Sequence, residues 1–148
     1  MKIIYKGYFY SNEKKALEIA KEEFLKLFNI SRNFLFFLHS VSEQESKKLN
    51  IQYFKKYSPA DVLTIPLYKN LNEIYKLNEK NNEVLGDLFI NRLLIKNNAL
   101  QYEKTMSEEL QLVLIHGLLH LVGYSHENED KLNMTENKIL NKVWKNGK

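Results

Sequence analysis

Three of the chain's four histidines fall within eleven residues, HGLLHLVGYSH, at positions 116, 120 and 126. His116 and His120 are four apart. On a helix that spacing puts their Cβ atoms about 6 Å apart on one face. Two imidazoles can then converge on one ion with bonds of about 2.0–2.1 Å. Gly123, lacking a Cβ, lets the chain turn sharply. His126 follows on the returning loop, where it can fold back as a third ligand. Gly117 beside His116 allows close backbone packing. Three histidines leave one tetrahedral position open, the pattern of a catalytic zinc rather than a structural one. An i, i+4 pair by itself is more often a packed or capping pair; the third histidine behind a glycine turn is what points to a metal. His39, the remaining histidine, lies in a Phe-rich run and reads as a packed or edge residue without chemistry.

The neighbours of these histidines narrow the chemistry. The peptidase motif H-E-x-x-H supplies a glutamate base directly after the first histidine, and here that position is Gly117. Glu127 and Glu129 follow His126, but no motif supports either as a replacement. Three neutral imidazoles leave the +2 charge of zinc uncompensated. That suits an anionic substrate such as a phosphodiester, and it lowers the pKa of a bound water. A net charge of +4 and a pI of about 9.1 lean the same way. Only two of the 22 basic residues are arginine, Arg32 and Arg92, so bidentate phosphate clamps are scarce. Nine Tyr and eight Phe could stack on unpaired bases. Their placement in apolar runs assigns most of them to the core, Tyr124 among them.

The elements that must position these residues can be read from periodicity. Residues 2–10 are rich in β-formers and predict a strand. Helical spacing of Leu17, Ile19, Ala20, Phe24, Leu27 and Phe28 predicts a helix capped by Ser11 or Asn12 and ending near Asn29. NFLFFLHSV (33–41) predicts a buried strand. Ser42 and Glu45 form a capping-box pattern for a helix to about Tyr53. Residues 60–67 predict a third strand, edged by Pro66. The polar stretch 68–82 reads as a loop or short irregular element. Residues 83–93 predict a fourth strand, with Gly86 marking a bulge or a close approach. Thr105 and Glu108 open a largely buried helix that Gly123 ends, and residues 128–144 carry helical spacing. Four strands among about five helices, without strict alternation, make an α+β domain.

Composition bounds the remainder. The 148 residues suit one domain, 1–148, with a real core. Without cysteine there is no disulfide, thiolate metal site or cysteine nucleophile. The N-terminus has no apolar h-region, and FLFFL (34–38) is too short to span a bilayer. The expectation is a soluble, cytoplasmic protein without a membrane partner.

The stretch 116–126 resembles the signature of the YbeY family, bacterial rRNA maturation factors regarded as metal-dependent endoribonucleases. That signature reads H-G-x-L-H-L-x-G-Y-D-H. His116, Gly117, Leu119, His120, Leu121, Gly123, Tyr124 and His126 match it. A second segment, LNIQYFKKYSPADVLTIP (49–66), resembles the family's L-N-x-x-Y-R-x-K-D-x-P-T-D-V-L-S-F-P without a gap. Leu49, Asn50, Tyr53, Lys56, Pro59, Asp61, Val62, Leu63 and Pro66 match there, and Gly86-Asp87 match a third piece.

The resemblance implies a small zincin-like α+β domain with a mixed four-stranded sheet. It implies one Zn2+ held by His116, His120 and His126 at the end of a buried helix. It further implies single-strand-specific cleavage in 3′-end maturation of small-subunit (16S) rRNA and in ribosome quality control. The partners would be rRNA and the small ribosomal subunit, with a ribosome-associated GTPase or a ribosomal protein beside them. Lys55 and Lys56 are the expected phosphate contacts, and Asp61 is expected to orient water or to cap structure. The departures matter as much. Phe54 stands where the family has an arginine held to be important for activity, and phenylalanine cannot clamp a phosphate. Ser125 replaces an aspartate next to a ligand, removing an acceptor that could orient an imidazole. Ala60 and Thr64 replace Thr and Ser. These departures favour, as the alternative, a ribosome-assembly factor with a structural zinc and weak or lost nuclease activity.

Overall fold

A computed structural model describes residues 1–146; the single domain expected over 1–148 extends two residues beyond them. Four strands and six α-helices follow one another: β1 (Lys2–Lys6), α1 (Ser11–Leu27), β2 (Leu35–Val41), α2 (Glu43–Phe54), β3 (Val62–Pro66), α3 (Leu71–Tyr75), β4 (Val84–Asn91), α4 (Arg92–Gln101), α5 (Met106–Leu121) and α6 (Glu129–Asn146). A single 3-10 turn, His126–Asn128, precedes α6. The sheet order is β1-β2-β4-β3, with β1, β2 and β4 parallel and β3 antiparallel to β4. The mixed α+β sheet expected from the sequence is present. Parallel neighbours need crossovers. Helix α1 supplies the first, and the segment α2-β3-α3 supplies the second, leaving β3 as an edge.

Period-two burial sets the sheet's packed face. Phe36 and Leu38 of β2 and Leu88 and Ile90 of β4 are buried, while Phe37, His39, Asp87 and Phe89 between them are half-buried. Helix α5 lies on the packed face with α1 and α6 against it. Its Leu110, Val113, Leu114, Ile115, Leu118, Leu119 and Leu121 are all buried. It begins with a complete capping box: Glu108 N donates to Thr105 Oγ1 at 3.1 Å and Thr105 N to Glu108 Oε1 at 3.0 Å. Ser42 caps α2 as expected, accepting from Glu45 N at 3.1 Å. No helix among the described residues is long and apolar enough to cross a membrane.

Several boundaries differ from expectation. β1 stops at Lys6, because Gly7 takes φ 89°. Helix α1 starts at Ser11, and Glu13 reaches back to accept from Tyr10 N at 2.9 Å, so neither Ser11 nor Asn12 is the cap. The polar stretch 68–82 contains the short α3, capped by Asn70. The fourth strand ends at Asn91, whose side chain accepts from Leu94 N at 3.2 Å and opens α4. Arg92 and Leu93 are therefore helical, and α4 was not foreseen. Gly86 is both a bulge and a close approach. The β2–β4 register shifts beside it, and a Cβ there would lie 2.5 Å from the Ile65 carbonyl oxygen.

Candidate metal centre

Helix α5 carries His116 and His120 on the same face, one turn apart, as the spacing requires. Their ring centroids are 4.7 Å apart and their Nε2 atoms 3.1 Å apart. A tetrahedral ion with bonds of about 2.0–2.1 Å needs nitrogens roughly 3.3 Å apart. Gly117 between them lies against the sheet. A Cβ there would sit 2.6 Å from Leu88 Cδ2 and 3.1 Å from Val62 Cγ2, and the hydroxyl of Thr64 donates to the Gly117 carbonyl at 3.1 Å. A peptidase-type glutamate has no room at this position.

The chain then reverses. The Gly123 amide donates to the His120 carbonyl at 3.1 Å and the Tyr124 amide to the Leu119 carbonyl at 2.9 Å. This is the paired pattern that ends a helix with a left-handed residue, and Gly123 takes φ 102° to make it. The reversal brings His126 back to ring-centroid distances of 4.8 Å from His120 and 5.8 Å from His116. One ring nitrogen from each of the three histidines lies within 4.8 Å of the others, the set expected from the sequence.

Each imidazole is held from behind. His116 Nδ1 meets Glu136 Oε1 at 2.8 Å, His120 Nδ1 meets the Tyr124 carbonyl at 2.8 Å, and His126 Nδ1 meets Glu129 Oε1 at 2.7 Å. A carbonyl only accepts, so His120 Nδ1 carries the hydrogen and its Nε2 presents a lone pair. The Glu136 carboxylate imposes the same tautomer on His116. Two such lone pairs 3.1 Å apart repel unless a cation or a proton lies between them. Glu136 accordingly raises the His116 pKa above the usual histidine value, while burial and then His116 lower that of His120. An ion that binds three neutral imidazoles fits this donor set.

The carboxylates correct one expectation. The ligands themselves are neutral, but Glu136 and Glu129 stand directly behind two of them, so a dication here is compensated one bond further out. Glu129 is thereby held against His126. Ser125 caps the 3-10 turn, accepting from Glu127 N at 3.3 Å. The missing family aspartate leaves no imidazole without an acceptor.

The histidines open into a cavity of about 440 Å³ between α5, β3 and the end of α2. Edge strand β3 contributes Val62, Leu63, Thr64 and Pro66, and the opposite wall contributes Asn50, Phe54, Lys56, Ala60 and Asp61. The buried polar residues of α2 secure that wall. Asn50 Nδ2 donates to the Ser58 carbonyl at 2.6 Å and Ser46 Oγ to the Ala60 carbonyl at 2.9 Å. Asp61 lines the cavity and also caps β3, accepting from Val62 N at 2.8 Å. Lys56 lines the cavity; Lys55, in a left-handed conformation at the helix end, does not. Neither arginine reaches it. Arg32 is spent on Glu22, and Arg92 on Glu13 and the Tyr8 carbonyl. His39 pairs with Asp87 at 2.7 Å and stacks on Phe89 at 4.3 Å, away from the cavity wall. The Tyr124 ring packs edge-on against Phe28 at 5.9 Å, and only its carbonyl serves the centre.

The model of the family described as endoribonuclease YbeY matches residues 9–143. The chain belongs to the YbeY family. The endoribonuclease YbeY of Thermotoga maritima is 37% identical over 108 residues, covering 70% of this chain and 64% of that relative. The YbeY of Buchnera aphidicola subsp. Acyrthosiphon pisum is 39% identical over 103 residues, covering 68% and 62%. The matched segment thus spans a little under two-thirds of each of these relatives. A solution structure of a Thermotoga maritima protein superposes with TM-score 0.61 at 31% identity, over 98% of this chain and 91% of that one. The YbeY resemblance and the fold drawn from it are therefore established.

Sequence reasoning missed Glu136, the orienting role of Glu129, and the Tyr124 carbonyl. Glu129 lies three residues from His126, and that spacing was a usable signal. Glu136 lies twenty residues past His116 and is brought to it only by the packing of α6 on α5.

Proposed function

We propose that this chain is a metal-dependent endoribonuclease that cuts single-stranded RNA, working with one zinc ion held by His116, His120 and His126. The observation that carries the reading is the pair of Nε2 atoms 3.1 Å apart, both with Nδ1 held by an acceptor, at the floor of an open cavity. When bound, the ion would supply Lewis acidity and a water of lowered pKa. Glu136, Glu129 and the Tyr124 carbonyl hold the imidazoles in the tautomer that leaves Nε2 free. Lys56 offers a point charge to a phosphate oxygen, with Lys55 beyond the cavity rim as a more distant one. Asp61, the carboxylate among the cavity residues, would accept a hydrogen bond from water. The absence of any residue larger than glycine at 117 speaks against peptide hydrolysis. By family, the substrate is the 3′ region of small-subunit rRNA, in maturation and ribosome quality control in the cytoplasm. The partners are the small ribosomal subunit and a ribosome-associated GTPase or ribosomal protein.

One observation favours a second reading, an assembly factor with a structural zinc and little cleavage. Phe54 occupies the cavity wall, and Lys56 is the only cation among the lining residues. One experiment separates the two. Zinc-loaded protein is incubated with a small-subunit rRNA precursor, with and without chelator, beside His116→Ala and Phe54→Arg. Chelator-sensitive cleavage absent from His116→Ala supports the nuclease. No cleavage by the zinc-loaded chain, with a large gain in Phe54→Arg, supports the assembly factor.

A further inference from the structure

The cavity beside the histidines lacks a bidentate cation. Whatever holds an RNA strand there uses other chemistry. Of the chain's eight phenylalanines, Phe54 is the most exposed, at 42%; the other seven are buried or half-buried. It is also the one aromatic residue among the cavity-lining side chains apart from the three histidines. It does not stand alone at the rim. Residues 53–57 read YFKKY, and Tyr53 and Tyr57 are 52% and 77% exposed. Lys55 and Lys56 between them are exposed as well. The loop that carries them is pinned by buried Asn50 and Ser46, so it is a built feature of the wall.

Exposed aromatic rings combined with nearby lysines are one way proteins hold single strands without reading sequence. Base faces stack on the rings, and the cations follow the backbone. A ring in the cavity wall adds a positional consequence: a base lying on it places its own phosphate near the metal ligands.

We propose that Phe54 is a stacking platform for one unpaired nucleobase next to the scissile phosphate, replacing an ionic clamp with a π-face, and that Lys56 supplies the adjoining phosphate contact. This rests on the RNA reading given above. Stacking requires a splayed base, so it selects unpaired over duplex RNA. It is indifferent to base identity, because every base has a π-face.

The test uses zinc-loaded protein and eight-nucleotide single-stranded RNAs carrying 2-aminopurine at one position at a time. Binding is read by anisotropy and stacking by quenching of the probe. The wild type should quench strongly at one register. Phe54→Leu keeps the apolar bulk but loses the π-face. It should weaken binding about tenfold and abolish that quenching, while Phe54→Trp retains both. The salt dependence should stay that of the wild type in Phe54→Leu and fall by about one unit of slope in Lys56→Ala. Zinc content and melting temperature, measured on each variant, should match the wild type. If Phe54→Leu binds and quenches as the wild type does, the stacking role is overturned while the RNA reading stands. If the zinc-loaded wild type binds none of these RNAs, the RNA reading falls and takes the stacking role with it.

Discussion

The Glu136 carboxylate holds the far side of the His116 ring, Oε1 to Nδ1 at 2.8 Å, from a helix twenty residues further along the chain. The contact fixes which nitrogen of His116 faces His120. It also makes that nitrogen a better donor, since a carboxylate behind an imidazole raises its basicity.

Removing that carboxylate should weaken the metal without unfolding the protein. Glu136→Ala is expected to lower zinc affinity by about 10–100-fold, and Glu136→Gln by less, because an amide oxygen can still accept. Competition against a chromophoric chelator measures both. Affinity unchanged in Glu136→Ala would show that the contact is incidental.

The His116 contribution to the metal-free fold and the stabilisation by zinc should respond to pH in opposite directions. Glu136 raises the folded His116 pKa above the ordinary value. The protonated ion pair therefore stabilises the metal-free fold fully below the unfolded histidine pKa, and that contribution is lost as pH rises through the raised value. Zinc binding requires the proton to leave, so its stabilising effect grows over the same range. Melting scans across roughly pH 6 to 8 should show the gap between the two forms widening with pH. In Glu136→Gln the change should move to lower pH. A gap that is constant with pH would refute the assignment of the proton.

The glycine turn should be as important to the centre as a ligand. At Gly123, with φ 102°, an added Cβ would lie 2.9 Å from both Asn70 Cα and the Lys69 carbonyl oxygen. Gly123→Ala should cost about 1–3 kcal/mol of stability. It should also reduce zinc affinity, because the Tyr124 carbonyl and His126 both depend on the reversal. Denaturant melts and the same chelator competition report the two effects separately.

A buried acid in α5 predicts a second pH effect, unrelated to the metal. Glu109 is 3% exposed, and its Oε2 lacks a hydrogen bond, with Lys104 Nζ 3.9 Å away. Burial, the largest cause, raises its pKa. The neutral acid is thus favoured in the fold. The associated stability is complete below the usual carboxylate pKa and lost as pH rises through the raised one. Glu109→Gln stays neutral throughout. It should melt close to the wild type near pH 4 and above it near pH 7. Equal differences at both pH values would sink the explanation.

Local signals served the metal ligands well, because the whole device is local. The i, i+4 pair, the glycine and the returning histidine are written consecutively in residues 116–126. The Thr105 and Ser42 caps were legible for the same reason. Helix α4 was lost because apolar residues continue on both sides of the Asn91 boundary, at 88–90 and 93–94, and only the cap marks the change. The fate of the arginines could not be read from spacing at all. Arg92 meets Glu13 across a sequence separation of 79 residues, and only the folded chain brings the starts of α1 and α4 within side-chain reach. Glu136 was hidden in the same way.

The reversal at Gly123 has one more consequence. Ligands and acceptors of the centre all fall between His116 and Glu136, while the facing wall is formed by residues 50 to 66. Closing so short a loop costs little chain entropy, so the ion's cradle can assemble early from its own neighbourhood. The two halves meet only when the sheet is complete. Substitutions at Phe54 and Lys56 in the far wall can therefore alter what is gripped without disturbing what holds the ion, which makes that part of the wall the freer to diverge.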